Sequence, residues 1–456
     1  MKKIFGEIDL TIGSVFKNLI LFTLPFFISY FLNSLYSAID LFFVGQYSDT
    51  INSAAVSSGT TITFAINSII AGLTTGGTVI IAKHFGAKSE KIGNVTKTFI
   101  IYFSLIAILL LILMLALFYP IVSWMKIDGE EAQNTTRMYL LILTIAIPFY
   151  VGYLGICAIL RGLGNSFIPF IVLLIGVASN IGLDAIFVIV FQMGAIGAAI
   201  ATAIGEIIAF LVALSFLLIR KLPYKINFDF KLDKNYAIDI LKSGLPIAIQ
   251  DGLVVISFAI ILAAVSTRGI DYTSAVGITD RVTSFGFVPL SAIGASISTA
   301  TAQNMGANKI DRVKKYMHYG LLISIVLGGI LGALCQLFPR QLASIFAGNQ
   351  PEALEIAIPY IQSTSLDIFV CIFVFPINAI FIGSGHSVFA MSQNLLATFL
   401  VRIPVAIIFA IVLNESMYVV GLAYCISTTI SLILVLIYYL SKRWMKPFSF
   451  KRKRQI

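Results

Sequence analysis

The sequence predicts an all-α integral membrane protein of twelve transmembrane helices, arranged as two pseudo-symmetric six-helix lobes. Three observations carry this reading. Of the 456 residues, 59% are hydrophobic and only 11% charged, against about 25% charged in ordinary globular domains. Apolar stretches recur that meet the requirement of about 20 helical residues for crossing a hydrocarbon core of ~30 Å. Motifs of the first half return in the second at a nearly constant offset.

In chain order the predicted spans are 17–43, 54–82, 98–121, 137–160, 168–191 and 195–219, then 238–265, 281–302, 317–338, 356–382, 391–414 and 418–440. Only Gln192 to Gly194 separate the fifth from the sixth. The lobes are expected at 1–220 and 237–441, joined by a polar cytoplasmic linker at 221–236 and followed by a basic tail at 442–456. No cleaved signal is expected, because the first apolar run continues to Phe43 without a small-residue cleavage site.

Orientation follows from the positive charges, which accumulate in cytoplasmic loops. With both termini inside, the inner segments hold 25 Lys and Arg and the outer loops only Lys126, Arg137, Arg268, Arg281 and Arg340, with Arg402 left within a helix. Both termini are therefore expected on the cytoplasmic side of the cell's inner membrane. The net charge of +10 is accounted for by topology and calls for no nucleic-acid partner; the basic tail suits anionic lipid. Cys157, Cys335, Cys371 and Cys425 all fall in predicted helices without metal-ligand spacing and read as packing residues.

The internal repeat has three separate anchors. Leu24-Pro25 matches Leu245-Pro246 at an offset of 221, the run from Ala82 to Lys88 matches Ala302 to Asn308 at 220, and Gly164-Asn165-Ser166 matches Gly385-His386-Ser387 at 221. The chain is thus a duplicated six-helix unit with parallel repeats, a plan suited to rocking transporters. Pro25 and Pro246, about two turns into their helices, remove a backbone donor and are hinge candidates.

Acids that lipid should exclude are the candidate functional residues, since an ionised carboxylate at the centre of a lone helix costs about 2.5 to 3.5 kcal/mol. Asp40 lies about one turn, and Asp184 about two turns, below the outer surface. Residues four apart share a helical face, which pairs Tyr36 with Asp40, Asn180 with Asp184, and Ala198 with Thr202. Three such faces offer oxygen ligands for a hard cation, Na+ at Asp40 and Asp184, or for a proton. Glu206 and Tyr36 are candidates for support of this site. The second lobe has Ile261 where the first has Asp40, so the acid belongs to one repeat only. Asp251, Asp367 and Arg402 lie near mid-depth in the second lobe; an internal ion pair is the simplest expectation for them, with a substrate contact or a second coupling role as the alternative. Some of the 36 Phe are candidates for lining a cleft for aromatic or cationic ligands.

At these residues the chain resembles the multidrug and toxic compound extrusion (MATE) transporters over nearly its whole length. The stretches that carry the resemblance are Leu24-Pro25, YSAIDLFFVG from Tyr36 to Gly45, Arg161 to Ser166, Asn180 to Asp184, and Met193 to Ala199. The resemblance implies a V-shaped pair of six-helix lobes that exports organic cations and amphipathic drugs in exchange for H+ or Na+ by alternating access. It also implies that Asp40, Asn180, Asp184 and Thr202, with the backbone at Ala198, bind the coupling cation. One departure is Val254, which stands where a sodium-coupled subgroup carries an acid about two turns after the second Leu-Pro.

Beyond the coupling ion no cofactor is expected, and no ATPase subunit is implied. An enzyme is not expected either. His84, His318 and His386 lie at or near cytoplasmic boundaries without HExxH spacing, and no glycine-rich phosphate loop followed by Lys is present. The alternative reading is a flippase for lipid-linked oligosaccharide or a related amphiphile, which should show more cationic residues than Arg402 alone.

Overall fold

A computed structural model describes residues 7–125, 127, 129–219, 222–226, 233–348 and 350–446, and for 35–38, 40–42 and 50 the backbone alone. In chain order the helices are α1 (Val15–Tyr47), α2 (Thr50–Gly86), α3 (Ile92–Trp124), α4 (Glu130–Gly162), α5 (Phe167–Val190), α6 (Gly194–Ile219) and α7 (Lys234–Ser266). They continue as α8 (Ile270–Gly306), α9 (Ile310–Leu337), α10 (Pro339–Ala347), α11 (Pro351–Gly383), α12 (Ser387–Val412) and α13 (Met417–Leu440). Among the described residues, twelve are long and apolar enough to cross a membrane; α10, with nine residues, is not.

Most helices extend past the predicted spans, because hydropathy marks the lipid-embedded window and not the polar turns that complete a helix. The largest difference is α8, which starts at Ile270 rather than 281 and so takes Asp280 and Arg281 out of the expected outer loop. Arg137 likewise lies within α4, and Arg340 within α10. Lys126 falls outside the described residues.

The duplication is visible in the helices themselves. α2 and α8 each have 37 residues and start at Thr50 and Ile270; α4 and α11 each have 33 and start at Glu130 and Pro351. Two of the repeated motifs prove to be helix stops. Gly164 and Gly385 both adopt φ 88°, a conformation glycine tolerates. In each the next amide reaches back five residues, Asn165 N–H to the Leu160 carbonyl at 2.9 Å and His386 N–H to that of Phe381 at 2.7 Å, closing a Schellman turn. Lys88 and Asn308 do the same after α2 and α8, with the amides of Ser89 and Lys309 donating to His84 and Asn304.

The chain forms two compact units, Ile28–Leu241 with the residues up to Ile8, and Lys242–Ile456 with Asp9–Phe27. In the first, α4 packs against α2, α3 and α6, and α6 packs against α5. One core there gathers Val44, Val56, Tyr139, Val188 and Ala199, another Ile156, Leu160, Val172 and Ala213. In the second unit α11 is central, against α8, α9 and α13. α3 is the least buried span, and Leu105, Ile108, Leu109 and Ile112 expose more than half of their surface along it, as expected where lipid is the solvent.

The folded division differs from the expected boundaries in a way its hydrogen bonds explain. Residues 10–13 are held by the α8–α9 corner: the Leu10 carbonyl accepts from Asn304 (3.2 Å), Arg312 (3.1 Å) and the Tyr316 hydroxyl (2.9 Å), and Lys309 donates to the Thr11 carbonyl (2.8 Å). The linker makes the corresponding attachment to the first unit. Tyr224 bonds Thr96 at 2.9 Å, and the Lys225 carbonyl comes within 2.3 Å of where a Cβ on Gly93 would stand. Burial pushes the Tyr224 hydroxyl up to about 12, so it remains neutral.

Candidate functional site

The first unit assembles its buried polar group where α5 meets α6. Two glycines bring these helices close: a Cβ on Gly205 would lie 3.1 Å from that of Asn180, and one on Gly176 3.1 Å from that of Ala209. α5 is α-helical to Asp184 and then widens into a π-helical stretch, Ala185–Val190. Such widenings frequently mark functional sites. The break that follows uses Gln192 at φ 53° and Gly194 at φ 55°. A Cβ on Gly194 would clash at 2.4 Å with Asn52 Oδ1, which accepts the Ala195 amide at 2.7 Å and so fixes the start of α6.

Within this frame Asn180 and Asp184 are fully buried and Thr202 is 7% exposed. Asn180 donates its Nδ2–H to Thr202 Oγ1 at 3.3 Å, which leaves the Asn180 Oδ1 buried and without a hydrogen-bond partner among the described residues. Asp184 follows one turn along the same face of α5. A carboxylate and an amide oxygen are thereby held in a dry setting, where a negative charge is stable only with a cation or a proton.

Other sequence candidates fall variously. Ala198 packs in the core with Val188, Ala195 and Tyr139, so its contribution is limited to backbone. Glu206 lies four residues beyond Thr202 on α6, half-buried and within electrostatic reach of Tyr150 and Tyr153 on α4. The side chains of Asp40 and Tyr36 lie outside the described residues, although α1 is helical through both positions. α1 also continues through Pro25, and the boundary between the two units falls two residues later, at Phe27.

In the second unit the expected ion pair does not form: among the described residues no nitrogen of Arg402 lies within 4.0 Å of a carboxylate oxygen of Asp367. Asp367, 5% exposed, has its Oδ1 buried without a hydrogen-bond partner among the described residues and feels Arg402 only at longer range. Arg402 instead donates its Nε–H to Ser427 at 3.1 Å, with its guanidinium 5.1 Å from the Tyr424 ring centre and 6.0 Å from that of Phe258. Asp251 stands apart, with no charged side chain acting on it among the described residues. Sequence reasoning missed Asp280, which acts electrostatically on Tyr360 and Tyr424; a helix boundary placed at 281 had put it in a loop.

A one-residue insertion explains the position of Arg402. The offset between repeats is 221 at Gly164 and Gly385 but 222 at Gln192 and Asn414, the two left-handed residues that end α5 and α12. α12 absorbs the extra residue in a π-helical turn, Thr398–Arg402, where α5 is plain α-helix. Arg402 therefore occupies the counterpart of Asn180: one repeat has an amide where the other has a fixed positive charge.

Comparison with known proteins agrees with this duplicated architecture. The MatE family model matches twice, over residues 25–186 and 246–408. The Bacillus subtilis (strain 168) protein named probable multidrug resistance protein YoeA is 28% identical over 437 residues, covering 93% of this chain and 94% of its own. The multidrug export protein MepA of Staphylococcus aureus is 25% identical over 330 residues, 71% of each chain. Among solved structures, an outward-facing multidrug resistance MATE family transporter of the MOP superfamily superposes with a TM-score of 0.90 at 22% identity, covering 96% of this chain and 97% of that one. A MOP superfamily transporter from Pyrococcus furiosus gives 0.88 at 21% identity, covering 95% and 96%. At these identities the structural likeness establishes the fold.

Proposed function

Because the chain belongs to the MatE family, we propose that it is a secondary antiporter that exports organic cations and amphipathic drugs in exchange for H+ or Na+ by alternating access. The observation that carries this reading is the buried group of Asp184, Asn180 and Thr202 on α5 and α6, which has the oxygen chemistry of a cation or proton site. Relatives named as multidrug resistance and export proteins support the substrate class. The excess of inner positive charge supports a cytoplasmic-membrane location with both termini inside.

Coupling is assigned to the first unit alone. Asp184, with Asp40 on α1, takes the ion; in the second unit the counterpart of Asn180 is Arg402, a cation that cannot leave. Ion binding favours one conformation of the transporter and drug binding the other, since only differential affinity for two states produces exchange.

The test is transport by the protein reconstituted in liposomes, following a fluorescent organic cation under an imposed Na+ gradient and then a proton gradient, with Asp40→Asn and Asp184→Asn alongside. Export driven by one gradient and lost in both variants is the expected result and names the ion. Export unchanged in both removes the site from the mechanism, and no cation transport under either gradient favours a flippase, to be assayed with lipid-linked substrates.

A further inference from the structure

Five helices of the second unit meet in one apolar core, to which Ile261 of α7, Val276 of α8, Tyr360 of α11, Ala406 of α12 and Tyr424 of α13 contribute. About one turn beyond it, toward the end of the unit that carries the α8–α9 corner, the same helices turn polar. Val276 is followed by Asp280 and Tyr424 by Ser427, while Arg402 precedes Ala406. Residues three or four apart share a helical face, so these side chains lie on the faces that build the core.

Arg402 is half-buried there and held from two sides. Tyr424 and Phe258, stacked at 6.0 Å and 20°, have their ring centres 5.1 Å and 6.0 Å from its guanidinium. Its Nε–H reaches Ser427, whose own proton goes to the Tyr424 carbonyl at 2.8 Å, so the hydroxyl oxygen stays turned toward the arginine. The two terminal nitrogens have no acceptor among the described residues. Two acids stand around this group at longer range. Asp367 has its buried Oδ1 without a hydrogen-bond partner among the described residues, and Asp280, exposed on α8, acts together with Arg402 on Tyr360 and Tyr424.

We propose that Arg402 binds the carboxylate of an amphipathic zwitterion whose basic nitrogen lies toward Asp280. A guanidinium with its face and its Nε occupied still presents the edge that carries both terminal nitrogens, and this edge pairs with a carboxylate through two parallel bonds. One fixed cation among two acids makes the site dipolar. A diphosphate would meet a single cation and two repelling carboxylates, whereas a ligand of both signs finds a partner for each. Phe258, 39% exposed, offers aromatic surface to the ligand's body. An arginine within a span persists where the interior is polar or water-filled, which also gives the ligand its way in. The inference goes beyond the export of organic cations: it concerns the other repeat, adds a ligand class and does not depend on ion coupling.

Binding of tritiated dansyl-lysine, labelled through its side-chain nitrogen, to the detergent-purified protein without any gradient tests it. Two analogues each lack one charge of this probe: dansylcadaverine lacks the carboxylate, and dansylaminohexanoic acid lacks the ammonium. The acid should displace dansyl-lysine from the wild type. Arg402→Met should weaken dansyl-lysine binding about tenfold or more, as loss of a charged hydrogen-bonding partner does, and Arg402→Lys should weaken it severalfold, since the fork is lost. Asp280→Asn should weaken dansyl-lysine severalfold and leave the acid unaffected, and dansylcadaverine should bind equally to wild type and Arg402 variants. Monodisperse Arg402 variants with wild-type affinity for dansyl-lysine overturn the site. Failure of the acid to displace the probe overturns it without any variant, and failure of the wild type to bind dansyl-lysine refutes the zwitterion while leaving the organic-cation reading standing.

Discussion

Gly162 and Gly383 stand at the ends of α4 and α11, 221 residues apart, and each allows its helix to touch the 37-residue helix of its own unit, α2 or α8. A Cβ on Gly162 would lie 2.9 Å from Ile81 Cγ2 and 3.1 Å from the Thr78 carbonyl; one on Gly383 would lie 2.3 Å from the Ser298 carbonyl and 2.7 Å from Thr301 Cβ. The repeats share not only a sequence pattern but a packing solution, in which small residues let backbones approach where lipid supplies no hydrophobic drive between helices.

The two contacts differ in what must yield. A methyl at Gly162 meets first a side-chain methyl, while one at Gly383 meets a backbone carbonyl that cannot rotate away. Gly383→Ala should therefore be the more damaging, by about 1 to 3 kcal/mol, and Gly162→Ala the milder. Thermal unfolding of the purified variants checks the order, and equal shifts would contradict it.

Asn180→Ala and Thr202→Val should each reduce the apparent affinity for the coupling ion about tenfold without preventing folding, since each removes one neutral hydrogen-bonding oxygen from the site. Asp184→Asn should go further and leave no gradient-driven export. Initial rates of exchange against ion concentration in proteoliposomes measure all three.

Arg402→Met should destabilise the second unit by about 1 to 2 kcal/mol, because it removes the hydrogen bond to Ser427 and the cation–π contact with Tyr424. Adding Asp367→Asn should return little of the loss. Denaturant unfolding of the singles and the double variant completes the cycle; a double variant restored to wild-type stability would show that the effect runs through Asp367 instead.

Arg268 closes the far end of α12. Its guanidinium donates to the Ala410 carbonyl through Nε at 2.8 Å and through a terminal nitrogen at 2.6 Å, and to the carbonyls of Phe409 at 3.1 Å and Glu415 at 2.6 Å. The Ala410 carbonyl is one that the end of a helix leaves without an intrahelical donor, while that of Phe409 also accepts the Glu415 amide at 2.9 Å. Arg268→Ala should cost about 1 to 3 kcal/mol, and Lys should not restore it, lacking the planar fork. Melting temperatures of the three proteins decide the matter.

Much of the fold was legible because lipid imposes a composition and a length on each span, and because the repeated motifs are the chemistry of helix stops. Gly164 and Gly385 repeat since the backbone there is left-handed; no functional pressure is needed to explain the match. The meeting of Asn180 with Thr202 was legible through helical spacing and depth. What escaped was local irregularity. Hydropathy does not reveal a π-helical turn, so the shift of Arg402 to the counterpart of Asn180 was invisible, and the polar first turns of α8 concealed Asp280. The surroundings of Glu206 depend on which face of α4 is turned toward α6, a matter of tertiary packing that no single helix encodes.

The attachments of residues 10–13 to the α8–α9 corner, and of Tyr224 and Lys225 to α3, mean that the gene's repeat and the folded repeat are not the same object. Each copy has given its leading segment to the other. A chain cut at the linker would yield fragments that each carry a piece of the other's fold, and neither is a finished half.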